Sequence, residues 1–214
     1  MKIKWLGHSC FMITSEKGTR ILTDPYNKFV HYELPEIEAD IVTTSHNHND
    51  HNNINAVKSN FEHIDGPGSF SKHGIEIKGV STFHDKVSGA KRGKNTIYNF
   101  NIDGLNVCHC GDLGHILDSN QVEEIGKVDI LMLPVGGLFA LDAFDAVKVM
   151  KQLNPTIVIP MHYRTKALGL RGHLFAKAEK FILASGLKTK EYEELNLNKE
   201  NIKDFSGVAV LKYE

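Results

Sequence analysis

The sequence predicts an α+β fold in which strands and helices mix along the whole chain. Three observations carry that expectation. Residues 74–83 alternate apolar and polar side chains over the length of a long strand. Residues 128–137 and 156–160 are nearly continuous apolar runs, the pattern of strands covered on both faces. Residues 142–153 and 174–185 have helical spacing and are ended by Asn154-Pro155 and Gly186. A chain of 214 residues suits one domain spanning residues 1–214. Such a domain buries about 70% of the surface its unfolded form exposes, so no metal is needed merely to hold it together.

The amino-terminal segment reads as strands at 2–6 and 10–14 joined through Gly7-His8-Ser9, with a turn at Glu16-Lys17-Gly18 leading to a third strand at 19–23. Pro25 stops that strand and leaves the Asp24 carboxylate at its end. Asp24 has two readings, a partner that orients a ligand imidazole or a turn-forming Asp-Pro. His8, beside a glycine, either faces a site or caps the turn.

A β-branched run at 40–44 then delivers Ser45-His46-Asn47-His48-Asn49-Asp50-His51. In extended chain, residues i and i+2 project to one side, so His46 and His48 can reach one ion. If the chain then turns, Asp50 and His51 point further along, toward a second ion. Neutral imidazole and carboxylate suit zinc, manganese or iron, and the loop holds no cysteine for a closed structural zinc site.

A short helix is expected near 54–58, and Gly66-Pro67-Gly68 punctuates the chain before the long strand, which delivers His84-Asp85. The cluster at 46–51 needs a third imidazole from elsewhere to complete one metal's shell, and His84 supplies it. Residues 88–95 form a basic, glycine-bearing loop. Its Lys91, Arg92 and Lys94 either hold an anionic group of a substrate or belong to a solvated hairpin connection. Strands at 96–102 and 105–110 follow, the second ending in Gly111-Asp112-Leu113-Gly114-His115. There Asp112 can project a carboxylate between two ions, while His115 either reaches substrate or caps the next element. The strand at 156–160 presents Met161-His162-Tyr163, and a final strand is expected at 207–213.

Lysine plus arginine (25) nearly cancels aspartate plus glutamate (26), so no global field favours nucleic acid or an anionic membrane. The amino terminus lacks the apolar core of a signal peptide, and no uninterrupted apolar run reaches the roughly 18 residues of a membrane span. A cytoplasmic protein with neither a nucleic-acid nor a membrane partner is expected. Cys10, Cys108 and Cys110 cannot all pair within the chain and are expected as buried free thiols of a reducing compartment, rather than as a Cys-His-Cys metal site.

Four strand ends thus offer ligands in the order His46/His48/Asp50/His51, His84, Asp112 and His162. His-x-His-x-Asp-His after a strand, followed by those later residues, resembles the metal-ligand series of the metallo-β-lactamase superfamily, from residue 1 to at least 163. The resemblance implies a metallo-β-lactamase-like αββα sandwich, two mixed β-sheets face to face and flanked by helices, with the metals at one edge. It implies a first metal held by His46, His48 and His84, a second held by Asp50, His51 and His162, and Asp112 bridging them. The segments Trp5-Leu6-Gly7-His8-Ser9-Cys10-Phe11, 111–115 and 159–163 resemble the small single-domain branch related to L-ascorbate-6-phosphate lactonases and N-acyl-phosphatidylethanolamine phospholipases D. Members of that branch are described as metal-dependent hydrolases and often form homo-oligomers.

The expected activity is therefore hydrolysis of an ester, lactone or phosphodiester bond of a small anionic substrate. The cofactor would be two divalent ions, zinc first and manganese or iron as alternatives, about 3.5–4 Å apart and sharing a hydroxide. Asp50 and Asp112 would orient the nucleophile, and His115, Tyr163 or a metal-bound water would assist the leaving group. Lys91, Arg92, Lys94 and Tyr163 are the substrate-binding candidates. Two other readings remain, a diiron redox protein and a metal-binding module without turnover. The redox reading is weakened by His48, which stands where the superfamily's oxygen-reducing diiron flavoproteins characteristically place a glutamate.

Overall fold

Period-two alternation builds the first sheet. The computed structural model describes residues 1–28 and 31–213. In strand β2 (Cys10–Thr14), Phe11 and Ile13 join the core shared by two sheets, whereas Cys10 and Met12 face the outer side. The same division holds in β3 (Arg20–Thr23), with Ile21 inward and Leu22 outward, and in β4 (Ile41–Thr43), with Ile41 inward and Val42 outward. Flanked by β1 (Lys2–Gly7), β5 (Glu62–Ile64) and β13 (Leu195–Asn196), these strands form a sheet of order β13-β1-β2-β3-β4-β5. Its β1–β2 and β2–β3 pairs are antiparallel, and its β3–β4 and β4–β5 pairs are parallel.

The second sheet is also mixed. β6 (Gly68–Lys72), β7 (Ile75–Phe83), β8 (Lys94–Ile102) and β9 (Leu105–His109) run as an antiparallel meander. β10 (Ile130–Pro134), β11 (Ile157–Met161), β14 (Gly207–Leu211) and β12 (Thr189–Tyr192) extend it by parallel pairs. Every residue of β10 and β11 is buried, as their unbroken apolar runs require.

Among the described residues, three α-helices lie on the outside of this second sheet. α1 (Ser119–Ile125) packs on β7 and β8, and α2 (Ala143–Leu153) packs on β10 and on α3 (Ala178–Ser185). The outer face of the first sheet is covered differently, by Tyr26, Tyr32, Ile37, Val57 and Leu168 from irregular segments with 3-10 turns at Ile54–Ala56 and Gly169–Leu174. The expected helix at 54–58 is only the first of these turns. Val57 bridges Ile37, and the Lys58 N–H donates to Ile37 O at 2.8 Å, which pulls the chain straight. The helix expected at 174–185 begins at Ala178, because the Ala176 N–H donates to Gly136 O at 2.8 Å and holds that stretch extended.

All three cysteines are free and buried. Among the described residues no helix is long and apolar enough to cross a membrane.

Candidate metal centre

The residues that carry chemistry sit together on strand ends from both sheets. His46, His48, Asp50 and His51 follow β4, His84 follows β7, Asp112 follows β9 and His162 follows β11. His8, in the β1–β2 turn, and Asp24, at the end of β3, join them. The two readings left open for these residues resolve toward the cluster.

Asp24 organises the loop after β4. Its carboxylate is fully buried and accepts from Ser45 N at 2.7 Å, from Ser45 Oγ at 2.6 Å and from His51 Nδ1 at 2.8 Å. The single Ser45 hydroxyl proton is thereby committed to Asp24, so Ser45 Oγ accepts from His46 Nδ1 at 2.9 Å. Both imidazoles are held at Nδ1 and turn Nε2 toward the cluster, the arrangement by which carboxylates orient metal-ligating histidines.

Asn95 does the same for Asp112. Buried at the start of β8, it donates to Thr82 Oγ1 at 2.8 Å and to Cys110 O at 3.0 Å, and its Oδ1 accepts from Asp112 N at 3.0 Å. Gly111, at φ +53°, turns the chain there, and a Cβ on it would collide with Asn95 Oδ1 and the Ser45 side chain. His8, Asp24 and His162 also hold left-handed backbone, at φ 53°, 40° and 52°.

Asp112 is the centre of the arrangement. Its Oδ2 lies 3.2 Å from Nε2 of His51, 3.2 Å from Nε2 of His84, 3.3 Å from Nε2 of His162 and 4.0 Å from Nε2 of His46. On one side stand His46, His48 and His84, and on the other His8, Asp50, His51 and His162, each group with its ligand atoms within 4.8 Å of one another.

Electrostatics make this a site for cations. Burial pushes His46 down to about 3 and His8 down to about 4, so both rings are neutral at neutral pH and free to ligate. Burial would lower His51 too, but the carboxylates of Asp112 and Asp24 outweigh it and raise its affinity for positive charge. Asp112 resists burial because His162 and His51 hold its carboxyl well below the usual range. Among the described residues, every ion-pair partner of Asp50 and Asp112 is a histidine. Nε2 of His8, His46 and His51 and Oδ1 of Asp112 are buried without a hydrogen-bond partner, an expensive state for polar atoms unless a ligand meets them. Imidazole nitrogen and carboxylate oxygen around such orphaned atoms fit divalent cations.

Other residues singled out in the sequence lie apart from this cluster. His115 accepts from Phe83 N at Nε2 (3.2 Å) and donates from Nδ1 to Ile116 O (2.8 Å), so both ring nitrogens are committed to backbone. Tyr163 stacks its ring on Trp5, with centroids 5.4 Å apart, and is buried there. The basic loop folds around Asp85, whose carboxylate accepts four backbone N–H groups, from Val87, Gly89, Lys91 and Arg92. Arg92 lays its guanidinium over the Phe139 ring, 3.1 Å from the centroid, while Lys91 and Lys94 are exposed. The organising role of Asp85 was not read from the sequence, although an aspartate entering a glycine-bearing loop is a signal for such a turn.

Strand-end histidines and aspartates at one edge of two facing mixed sheets define a class. Residues 2–162 match the model of the β-lactamase superfamily domain. The chain belongs to the metallo-β-lactamase superfamily and falls among its metal-dependent hydrolases. It is 32% identical over 225 residues to a UPF0173 metal-dependent hydrolase of Nanoarchaeum equitans, covering 94% of this chain and 98% of that one. A metallo-β-lactamase superfamily protein of Thermotoga maritima superposes with a TM-score of 0.83 at 37% identity, over 100% of this chain and 99% of its own. CmlA, a diiron β-hydroxylase of Streptomyces venezuelae, shares the fold alone: TM-score 0.65 at 16% identity, over 99% of this chain and 52% of its own.

Proposed function

We propose that this hydrolase holds two divalent cations, one on each side of Asp112, and cleaves an ester, lactone or phosphodiester bond in a small anionic substrate. The observation that supports this best is Asp112 Oδ2, within 3.3 Å of Nε2 of His51, His84 and His162 and so shared between two ligand groups. Zinc is the first candidate, because the Thermotoga maritima neighbour is classed as Zn-dependent; manganese and iron suit the same donors. Bound there, divalent ions supply Lewis acidity and bring the pKa of water toward about 7.

The chain's own residues divide the remaining work. Asp50 is the carboxylate suited to the attacking water, since its side chain is 36% exposed whereas those of Asp24 and Asp112 are 0% and 3% exposed. It accepts the water's hydrogen bond and, as attack proceeds, its proton. Asp112, fixed by Asn95, sets the line of approach. His115 takes no part in proton transfer, because backbone occupies both its nitrogens. The exposed Lys91 and Lys94 draw an anionic substrate to the side of the site that His84 borders, and Arg92 supports their loop by stacking on Phe139.

The test is elemental analysis of protein purified without added metal, read with hydrolysis of bis-p-nitrophenyl phosphate and of a lactone panel. Near two ions per chain and chelator-sensitive turnover would support the proposal and rank the bond types. Bound metal with no turnover of any of these substrates would point instead to a metal-binding module.

A further inference from the structure

The β1–β2 turn is built around a side chain that the ligand series of the superfamily does not include. His8 is 2% exposed, and its carbonyl is anchored from behind by the indole N–H of Trp5 at 3.0 Å and by His162 N at 3.2 Å. Its ring lies 4.4 Å from that of His162 and 5.1 Å from that of His51, centroid to centroid. His8 Nε2 is buried and has no hydrogen-bond partner. Asp50 Oδ2 is 3.3 Å away, long for a hydrogen bond to a carboxylate.

We propose that His8 is a protein ligand, through Nε2, to the ion held by Asp50, His51 and His162. The inference rests on the two-ion reading above and extends it. Zinc–nitrogen and zinc–oxygen bonds of about 2.0–2.2 Å place the ligand atoms of a tetrahedral shell roughly 3.3–3.5 Å apart. His8 Nε2 and Asp50 Oδ2 are separated by 3.3 Å, and the ligand atoms of His8, Asp50, His51 and His162 all lie within 4.8 Å of one another. A hydrogen bond from His8 to Asp50 would use the same Nε2, and at 3.3 Å that pair is long for a hydrogen bond to a carboxylate but at the spacing of two ligands on one ion. With Asp112 shared, this ion has five candidate side chains, and the ion of His46, His48 and His84 has four. The His8 side is therefore the tighter and more saturated one, and substrate enters the shell of the other ion.

The experiment compares wild type, His8→Gln and His48→Ala after reconstitution with Zn2+. Metal content is measured by mass spectrometry, affinity by chelator competition, and imidazole count by X-ray absorption on His48→Ala loaded with one equivalent. Wild type is expected to hold two ions. His8→Gln should keep one with unchanged affinity and bind the other about 100-fold or more weakly, beyond the usual 10–100-fold for a residue that only orients a ligand. His48→Ala, which retains His8, should show three imidazoles on its ion, a count that needs no folded His8 variant. Two ions bound by His8→Gln with wild-type affinity, or only two imidazoles in His48→Ala, would overturn the assignment and leave the two-ion reading intact. A wild-type protein that binds fewer than two ions would remove both.

Discussion

The two ligand groups flanking Asp112 draw on very different amounts of the chain. His46 and His48 come from one short loop after β4 and need only His84 from β7, and His48 is partly exposed. The opposite group takes His8 from the β1–β2 turn, Asp50 and His51 from the loop after β4 and His162 from the other sheet, with its three histidines buried. Both halves join the two sheets, but the first takes two segments of the chain and the second three, so an ion bound in either is coupled to the fold and one bound in the second more strongly.

Substitutions can break this comparison at its centre or on either side. Asp112→Asn removes the carboxylate both halves share and should lower hydrolysis on the order of 10,000-fold, the scale of deleting one member of a catalytic unit, with an unchanged circular dichroism spectrum. Near-normal turnover by that variant would sink the two-ion proposal. His48→Ala should lose the accessible ion while the buried one resists chelator, which stepwise metal release against a colorimetric indicator would show; simultaneous loss of both would mean the halves are not independent. Asp24→Asn withdraws the partner that holds His51 and should weaken the buried ion by about 10–100-fold. Titration with a competing chelator measures it, and unchanged affinity would reduce Asp24 to a turn residue.

A smaller effect is expected in the loop beside the accessible half. Burial works against ionisation of Asp85, but N–H donors of Arg92, Lys91, Val87 and Gly89 outweigh it and hold the carboxyl down to about 2. The depressed value means this contribution is fully present above the ordinary value of 3.8 and lost as pH falls toward about 2. Hydrogen exchange at these four amides, corrected for intrinsic rates, should therefore show protection at pH 5 that disappears near pH 2; equal protection at both would refute the account. The smallest effect belongs to His115→Gln, which should leave hydrolysis within about threefold, since the ring bonds backbone outside the cluster.

The half with His46 and His48 was legible in the sequence because those two histidines are two residues apart in one loop, and although the chain bends there rather than running extended, their rings stay 4.6 Å apart, centroid to centroid. His84, Asp112 and His162 could be nominated because apolar runs end at them, although only the resemblance to a known family grouped them. His8 and Asp24 stayed ambiguous, since their partners, Asp50, His51 and Ser45, lie some 20 to 40 residues on in sequence and meet them through sheet pairing alone. Elements with weak patterns were also missed. β12, Thr189-Lys190-Glu191-Tyr192, is an exposed edge strand with no apolar face to read. α1 did carry a signal, since Asp118 and Gln121 form a reciprocal capping box. Tyr163 follows His162 directly, yet the chain leaves β11 at Met161 and turns at His162 in left-handed backbone, and the Tyr163 ring goes to Trp5 rather than to the cluster.

Left-handed backbone at His8 and His162 sets these positions against the interest of the fold. Glycine occupies that region freely, whereas a side chain there costs on the order of 1 kcal/mol or more. With metal chelated away, glycine at either position should melt no lower than histidine, and a population selected for heat resistance alone would drift toward it. Each such step would erase a ligand. If the proposed ions are bound, histidine at these two positions is kept for them against a steady pull from thermal stability.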